Sequence, residues 1–193
     1  MNKKLRILPA VALAVLSLVS IAAAEKWETN FEKARTKAKE SNRYMLLNFS
    51  GSDWCGWCIK LDKEVFSKKE FKEYASENLV IVELDYPRKT PQKSSLKEQN
   101  EKLAKEYGIK GFPTVLILSP SGELVAKTGY QDGGPEKYVE HLQGFINSHR
   151  RKNNVPAPTI VPSGPAHKRR STRGVPASVI RQWEQQAAEA GED

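Results

Sequence analysis

Cysteine is scarce in this chain. Its 193 residues contain two, Cys55 and Cys58, three positions apart. A secreted chain that stapled a small core with disulfides would carry more of them, at wider spacing. Within the chain these two can bond only to each other, and so short a loop adds little stability through the entropy of the unfolded state. The pair therefore points to chemistry rather than scaffolding. Histidine is scarce too: His141, His149 and His167 all fall late. A zinc site needs four ligands, commonly two cysteine pairs or one pair plus histidines. Haem attachment needs a histidine directly after the second cysteine, where Ile59 stands. Copper delivery through the pair would ordinarily add histidine or methionine, and the only methionines are Met1 and Met45. No metal and no cofactor is expected. A long apolar run is also missing. The best stretch, Ile7 to Ile21, is about 15 residues against the ~20 that a spanning helix needs.

That stretch has another reading. Lys3, Lys4 and Arg6 precede it, Ala22, Ala23 and Ala24 follow it, and the sequence turns polar at Glu25. A positive start, an apolar middle and small residues at the end make a secretory signal peptide, residues 1–24, cleaved near Ala24. An uncleaved anchor is the alternative. The expected location is periplasmic or secreted. Removing Lys3, Lys4 and Arg6 lowers the formal charge from +8 to +5; eight basic and four acidic residues beyond His149 hold +4 of that, and +1 remains for residues 25–148. The basic character belongs to the two ends and gives no ground for a nucleic-acid partner.

Between the ends, apolar periodicity predicts alternating elements. Residues 27–42 read as a helix with Phe31, Ala34 and Ala38 on one face. Tyr44 to Phe49 reads as a buried strand ending in the turn Ser50-Gly51-Ser52. The cysteine segment follows, and Cys58, Leu61 and Val65 continue at helical spacing. Ser67 is a candidate N-cap with Glu70 completing a capping box. Leu79 to Asp85 reads as a strand, Leu96 to Tyr107 as a helix stopped by Gly108, Thr114 to Leu118 and Leu124 to Thr128 as a hairpin, and Glu136 to about Arg150 as a last helix. Helices between strands imply a parallel section, and the hairpin adds antiparallel strands. The expected architecture is α/β: a central four-stranded mixed sheet flanked by helices, over residues 25–150. Residues 151–177 are rich in proline and basic side chains and read as a flexible linker. Residues 178–193 read as a short possible helix around Ile180, Trp183 and Ala187, with a tail.

Cys55 falls after a turn at the start of a predicted helix, where unpaired N–H groups and the helix dipole favour an anion. A thiol there is acidified and becomes a better nucleophile. Cys58 lies one turn on, on the same face, placed to resolve a mixed disulfide. A strand, then Trp54-Cys55-Gly56-Trp57-Cys58-Ile59-Lys60 opening a helix, then Gly111-Phe112-Pro113-Thr114 before the hairpin follow one another in that order. On these motifs residues 44–149 resemble the thioredoxin-like superfamily. The longer run Phe49 to Phe66 resembles a bacterial exported subgroup of thiol–disulfide oxidoreductases. The resemblance implies that Pro113 is a cis proline facing the cysteines, with Phe112 offering backbone groups to an extended substrate. Trp57 is expected to form an apolar rim for substrate, and Trp54 either to join that rim or to pack against its own sheet. Three departures from the thioredoxin pattern stand out. Gly56-Trp57 replaces Gly-Pro, Asn48 stands near the usual buried aspartate, and Glu83 stands near the usual lysine. Glu83 is therefore read either as the acid/base beside Cys58, its pKa raised by burial, or as a solvent-facing strand residue.

The function expected is exchange of disulfides with protein or peptide substrates through Cys55 and Cys58, served by an unidentified membrane or periplasmic redox partner. Reductase, isomerase and oxidase all use this chemistry, and direction depends on potential and electron donor. The motif lacks the histidine found between the cysteines of strong oxidants in the superfamily, which favours a reductase. The rival is a non-catalytic client-binding module with a closed disulfide. The basic tail around Lys168-Arg169-Arg170 reads as a solvated linker or as a weak contact with membrane or cell wall.

Overall fold

Two seven-residue strands, β1 (Tyr44–Ser50) and β2 (Leu79–Asp85), run parallel in full register from Tyr44 opposite Leu79 to Ser50 opposite Asp85. A hairpin, β3 (Thr114–Leu118) and β4 (Leu124–Thr128), docks antiparallel on the free side of β1, giving the order β2-β1-β3-β4. The computed structural model describes residues 26–158. The segment expected to be a signal peptide, the expected linker beyond residue 158 and the possible helix around Trp183 lie outside them. Among the described residues no helix is long and apolar enough to cross a membrane.

Successive strand residues face opposite sides of a sheet, and here both sides are covered. One layer packs Tyr44, Leu46, Leu79, Ile81, Val115 and Ile117 against α2 (Gly56–Leu61), the π-helical turn that continues it (Asp62–Phe66), α3 (Lys69–Asn78) and α5 (Gly134–Asn153). The other packs Met45, Leu47, Phe49, Val82 and Leu116 against α1 (Phe31–Ser41) and α4 (Ser94–Glu106). Double burial is why β1 and β2 read as nearly continuous apolar runs. The same alternation sets Asn48, Ser50 and Glu83 on the α2 side, beyond Leu46 and Ile81.

Two expected helix starts are corrected. The first helix begins at Phe31, because Asn30 caps it by accepting from Lys33 N–H at 2.8 Å. Residues before it pair alongside β2 instead: Glu28 bridges Val82, with Glu28 N–H to Ile81 O at 2.9 Å and Glu83 N–H to Glu28 O at 2.8 Å. The Ser67 capping box does not form. The π turn carries the chain through Ser67, whose N–H bonds Asp62 O at 2.8 Å and whose hydroxyl bonds the Asp62 carboxylate at 3.0 Å. The next helix therefore starts at Lys69 with no side-chain cap. At the other end α5 continues to Asn153, past the Arg150 expected.

Candidate active site

The site is assembled where β1 delivers its turn to α2. Cys55 is the N-cap of α2, in extended backbone, and its Sγ accepts the Cys58 N–H at 3.2 Å. A sulfur at this position meets the amide donors that an α-helix leaves unpaired at its first turn. Cys58 lies one turn on with a Cα separation of 5.2 Å, and the two are closed as a disulfide. Both cysteines are buried. Phe112-Pro113 is cis, as the resemblance implies.

Trp54 and Trp57 separate in role. Trp54 is half-buried: its indole N–H donates to Tyr86 O at 2.8 Å, and its ring meets Phe112 edge-on at 5.9 Å. Tyr86 in turn packs on Phe112 at 4.9 Å. Gly51 makes room for the indole, since a Cβ there would stand 2.5 Å from Trp54 Cε2. Trp54 is thus packed among Gly51, Tyr86 and Phe112 at the end of the sheet. Trp57 is 58% exposed. It leans on Tyr130, from the loop after β4, at 5.4 Å, with the Lys60 ammonium 4.9 Å from its ring. Tyr130 is anchored by donating its hydroxyl to Glu64 on the π turn, and Asp132 lies at 3.1 Å.

Glu83 stands directly opposite Asn48 in the sheet, and the Asn48 amide donates to its carboxylate at 2.9 Å. Burial pushes the Glu83 carboxyl from the ordinary 4.5 up to about 7, against the Asn48 hydrogen bond, with Asp85 and Asp62 adding to the rise. Asn48 Oδ1 is buried with no hydrogen-bond partner. The pair sits on the sheet face that α2 covers. Besides it, β1 and β2 turn the Tyr44 hydroxyl, Ser50 and Asp85 to that face.

The segment after β2 is tied to the cysteine turn. The Asp53 carboxylate accepts backbone N–H bonds from Arg88, Lys89 and Thr90 at 3.0, 2.7 and 3.0 Å, which hold it below the usual carboxylate range. The Asp85 carboxylate accepts from Ser52 N–H and hydroxyl at 2.8 and 2.7 Å. Arg88 then lies over Trp54, its guanidinium carbon 3.6 Å from the ring centroid. Sequence reasoning missed Arg88, Tyr86, Asp53 and Tyr130. All but Asp53, which adjoins Trp54, lie far from the motif along the chain.

The thioredoxin-like domain family matches residues 31–144. The chain belongs to that family. It is 35% identical over 127 residues to the disulfide bond reductase DsbH of Chlamydia pneumoniae, covering 65% of this chain and 76% of that one. It is 33% identical to the thioredoxin-related protein DsbJ of the same organism, over 66% of this chain and 38% of DsbJ. A solved DsbH oxidoreductase superposes with a TM-score of 0.62 at 29% identity, over 76% of this chain and 95% of that one. This member of the family thus has DsbH- and DsbJ-like relatives and a cysteine pair placed for thiol–disulfide exchange.

Proposed function

We propose that the chain is an exported protein-disulfide reductase in which Cys55 attacks and Cys58 resolves. The observation that carries this reading is Cys55 at the N-cap of α2 with its Sγ on the Cys58 N–H, and Cys58 buried one turn below. In the reduced chain the Cys55 thiolate, stabilised by the amide donors of the helix start, attacks one sulfur of a client disulfide. The other client sulfur leaves as a thiolate and takes a proton. Cys58 loses its proton and attacks Cys55 Sγ, which closes the Cys55–Cys58 disulfide and releases the second client thiol. Two electrons have passed to the client, and a dithiol partner returns them. Phe112 and Pro113 form the ledge along which an extended client adds its backbone, and Trp57 forms the apolar rim. The reductase direction is supported by the missing histidine between the cysteines and by the name of the DsbH relative.

Glu83 takes the Cys58 proton. Its neutral form dominates below pH about 7 and its carboxylate above, so it can receive a proton near neutral pH. Asn48 positions it through the 2.9 Å bond, and the free Asn48 Oδ1 can hold a thiol or carboxyl proton but cannot accept it in transfer.

The test is insulin reduction with dithiothreitol, paired with a redox titration of the cysteine couple. Loss of reduction in Cys55→Ser, with a potential near that of thioredoxin, supports the reading. A couple that stays oxidised under strong reductant, with client binding unchanged in Cys55→Ser, would establish the binding module instead. Glu83→Gln separates the proton relay from the rest: the resolving step in the parent chain changes slope near pH 7 and in the variant does not. Stability gives an independent readout. A carboxyl raised from 4.5 to about 7 keeps in the folded state a proton that the unfolded chain has released. Its contribution is complete below pH about 4.5 and is lost as pH rises through about 7. The variant should erase a pH-dependent difference of up to about 3 kcal/mol. Identical resolving kinetics and identical pH–stability curves would remove Glu83 from the mechanism.

A further inference from the structure

We propose that Arg88, laid on Trp54 beside Cys55, is a carboxylate-binding subsite that selects client disulfides with an acidic residue next to the cysteine. The proposal rests on the reductase reading of the same site and adds the substrate class. Arg88 is exposed, and its guanidinium carbon stands 3.6 Å from the Trp54 ring centroid. Stacking occupies the flat face of a guanidinium and leaves its N–H donors, which lie in its plane, directed outward. Among the described residues no carboxylate pairs with that guanidinium. Two acids of the site are already committed. Asp53 accepts three backbone N–H groups from residues 88–90, and Asp85 accepts both Ser52 donors. The cation is therefore held without being neutralised by direct contact.

Its place is what makes it selective. Trp54 adjoins Cys55 in the chain and packs on Phe112, the residue of the cis bond to Pro113. A client strand laid along Phe112 with its disulfide over Cys55 passes the Trp54 wall, on whose face Arg88 lies. A planar carboxylate one residue from the client cysteine can take the guanidinium fork in a bidentate pair. Lys89, also exposed, adds charge of the same sign beside it. The backbone N–H of Arg88, rather than its side chain, holds the loop to Asp53. Removing the guanidinium therefore leaves the loop anchored.

The experiment measures kcat/KM for three peptide disulfides that differ only in carrying Glu, Gln or Lys next to the cysteine, with dithiothreitol as the reductant. The parent chain should reduce the Glu peptide about threefold to fivefold faster than the Gln peptide, the size expected of an exposed ion pair, and the Lys peptide slowest. Arg88→Ala should bring the three together, and Arg88→Glu should reverse the order. The preference should shrink in about 1 M salt. Equal rates in the parent chain, or a preference untouched by both substitutions, would overturn the subsite while leaving the reductase standing. Failure of the parent chain to reduce any of the three would overturn the reductase reading and the subsite with it.

Discussion

Trp54 and Trp57 lie on either side of Cys55, and the same side chain meets two different fates. Trp54 is pinned on three sides, by Gly51 beneath it, Tyr86 O on its N–H and Phe112 on its edge, and Arg88 closes the fourth. Trp57 touches Tyr130 and Lys60 and leaves most of its surface to solvent. The difference follows from backbone placement. Trp54 belongs to the turn that leaves β1, so its ring folds back over the sheet edge. Trp57 sits in the first turn of α2, whose inner face Cys58 and Leu61 already occupy. One tryptophan is therefore packed into the fold, and the other is largely open to solvent.

The largest expected effect breaks the fixed side. In Gly51→Ala the new Cβ would stand 2.5 to 2.8 Å from three indole atoms. The ring is rigid and cannot yield locally, so it must leave Tyr86 O and Phe112 together. Overpacking plus a lost hydrogen bond costs about 2–3 kcal/mol. Urea unfolding should show that loss, and peptide reduction should fall with it. A midpoint unchanged from the parent chain would mean that Trp54 is as free as Trp57.

A smaller effect loosens the fixed side without touching it. Asp53→Asn weakens the anchor of residues 88–90, so the indole N–H of Trp54 should exchange faster with solvent, approaching Trp57. Its pH signature has a definite sign. The folded-state pKa of Asp53 is held below 3.8, chiefly by the Arg88 backbone N–H. Stability from it is present above that value and is lost as pH falls through the lower folded value. The variant should lose less stability than the parent chain on acidification from pH 5 to 3. Matching acid profiles would show that the anchor contributes nothing.

Much of this frame was legible in the sequence. The edges of β2, β3 and β4 fall where apolar runs meet turn residues, because double burial and turn chemistry act locally. The cysteine pair and the helix it opens are likewise short-range patterns, whereas the cis bond at Pro113 was implied by the family resemblance. The helix starts at Phe31 and Lys69 were not legible. At the first, Glu28 paired with β2 instead, and at the second the π turn engaged the Ser67 N–H and hydroxyl that a capping box would use. The Asn48–Glu83 pair required knowing strand register, which no single strand encodes. Arg88 and Tyr130 are loop residues whose meaning depends on which tryptophan each one reaches.

The smallest effect on stability belongs to the exposed side, and there function and folding should part. Trp57→Ala removes one tilted ring contact and one cation over its face. Because the ring is 58% exposed, the cost to stability should stay below about 1 kcal/mol. Its loss takes apolar contact area from a bound peptide but none from a small disulfide that does not span the rim. KM for a peptide disulfide should therefore rise several-fold with kcat nearly unchanged, while reduction of a small aromatic disulfide proceeds at the parent rate. Tyr130 offers the control. In Tyr130→Phe the ring under Trp57 is kept and the bond to Glu64 is lost, so a rim that only needs contact keeps its KM. A rim that needs a fixed angle does not, and in that case Trp57 is oriented for its client as Trp54 is for the fold.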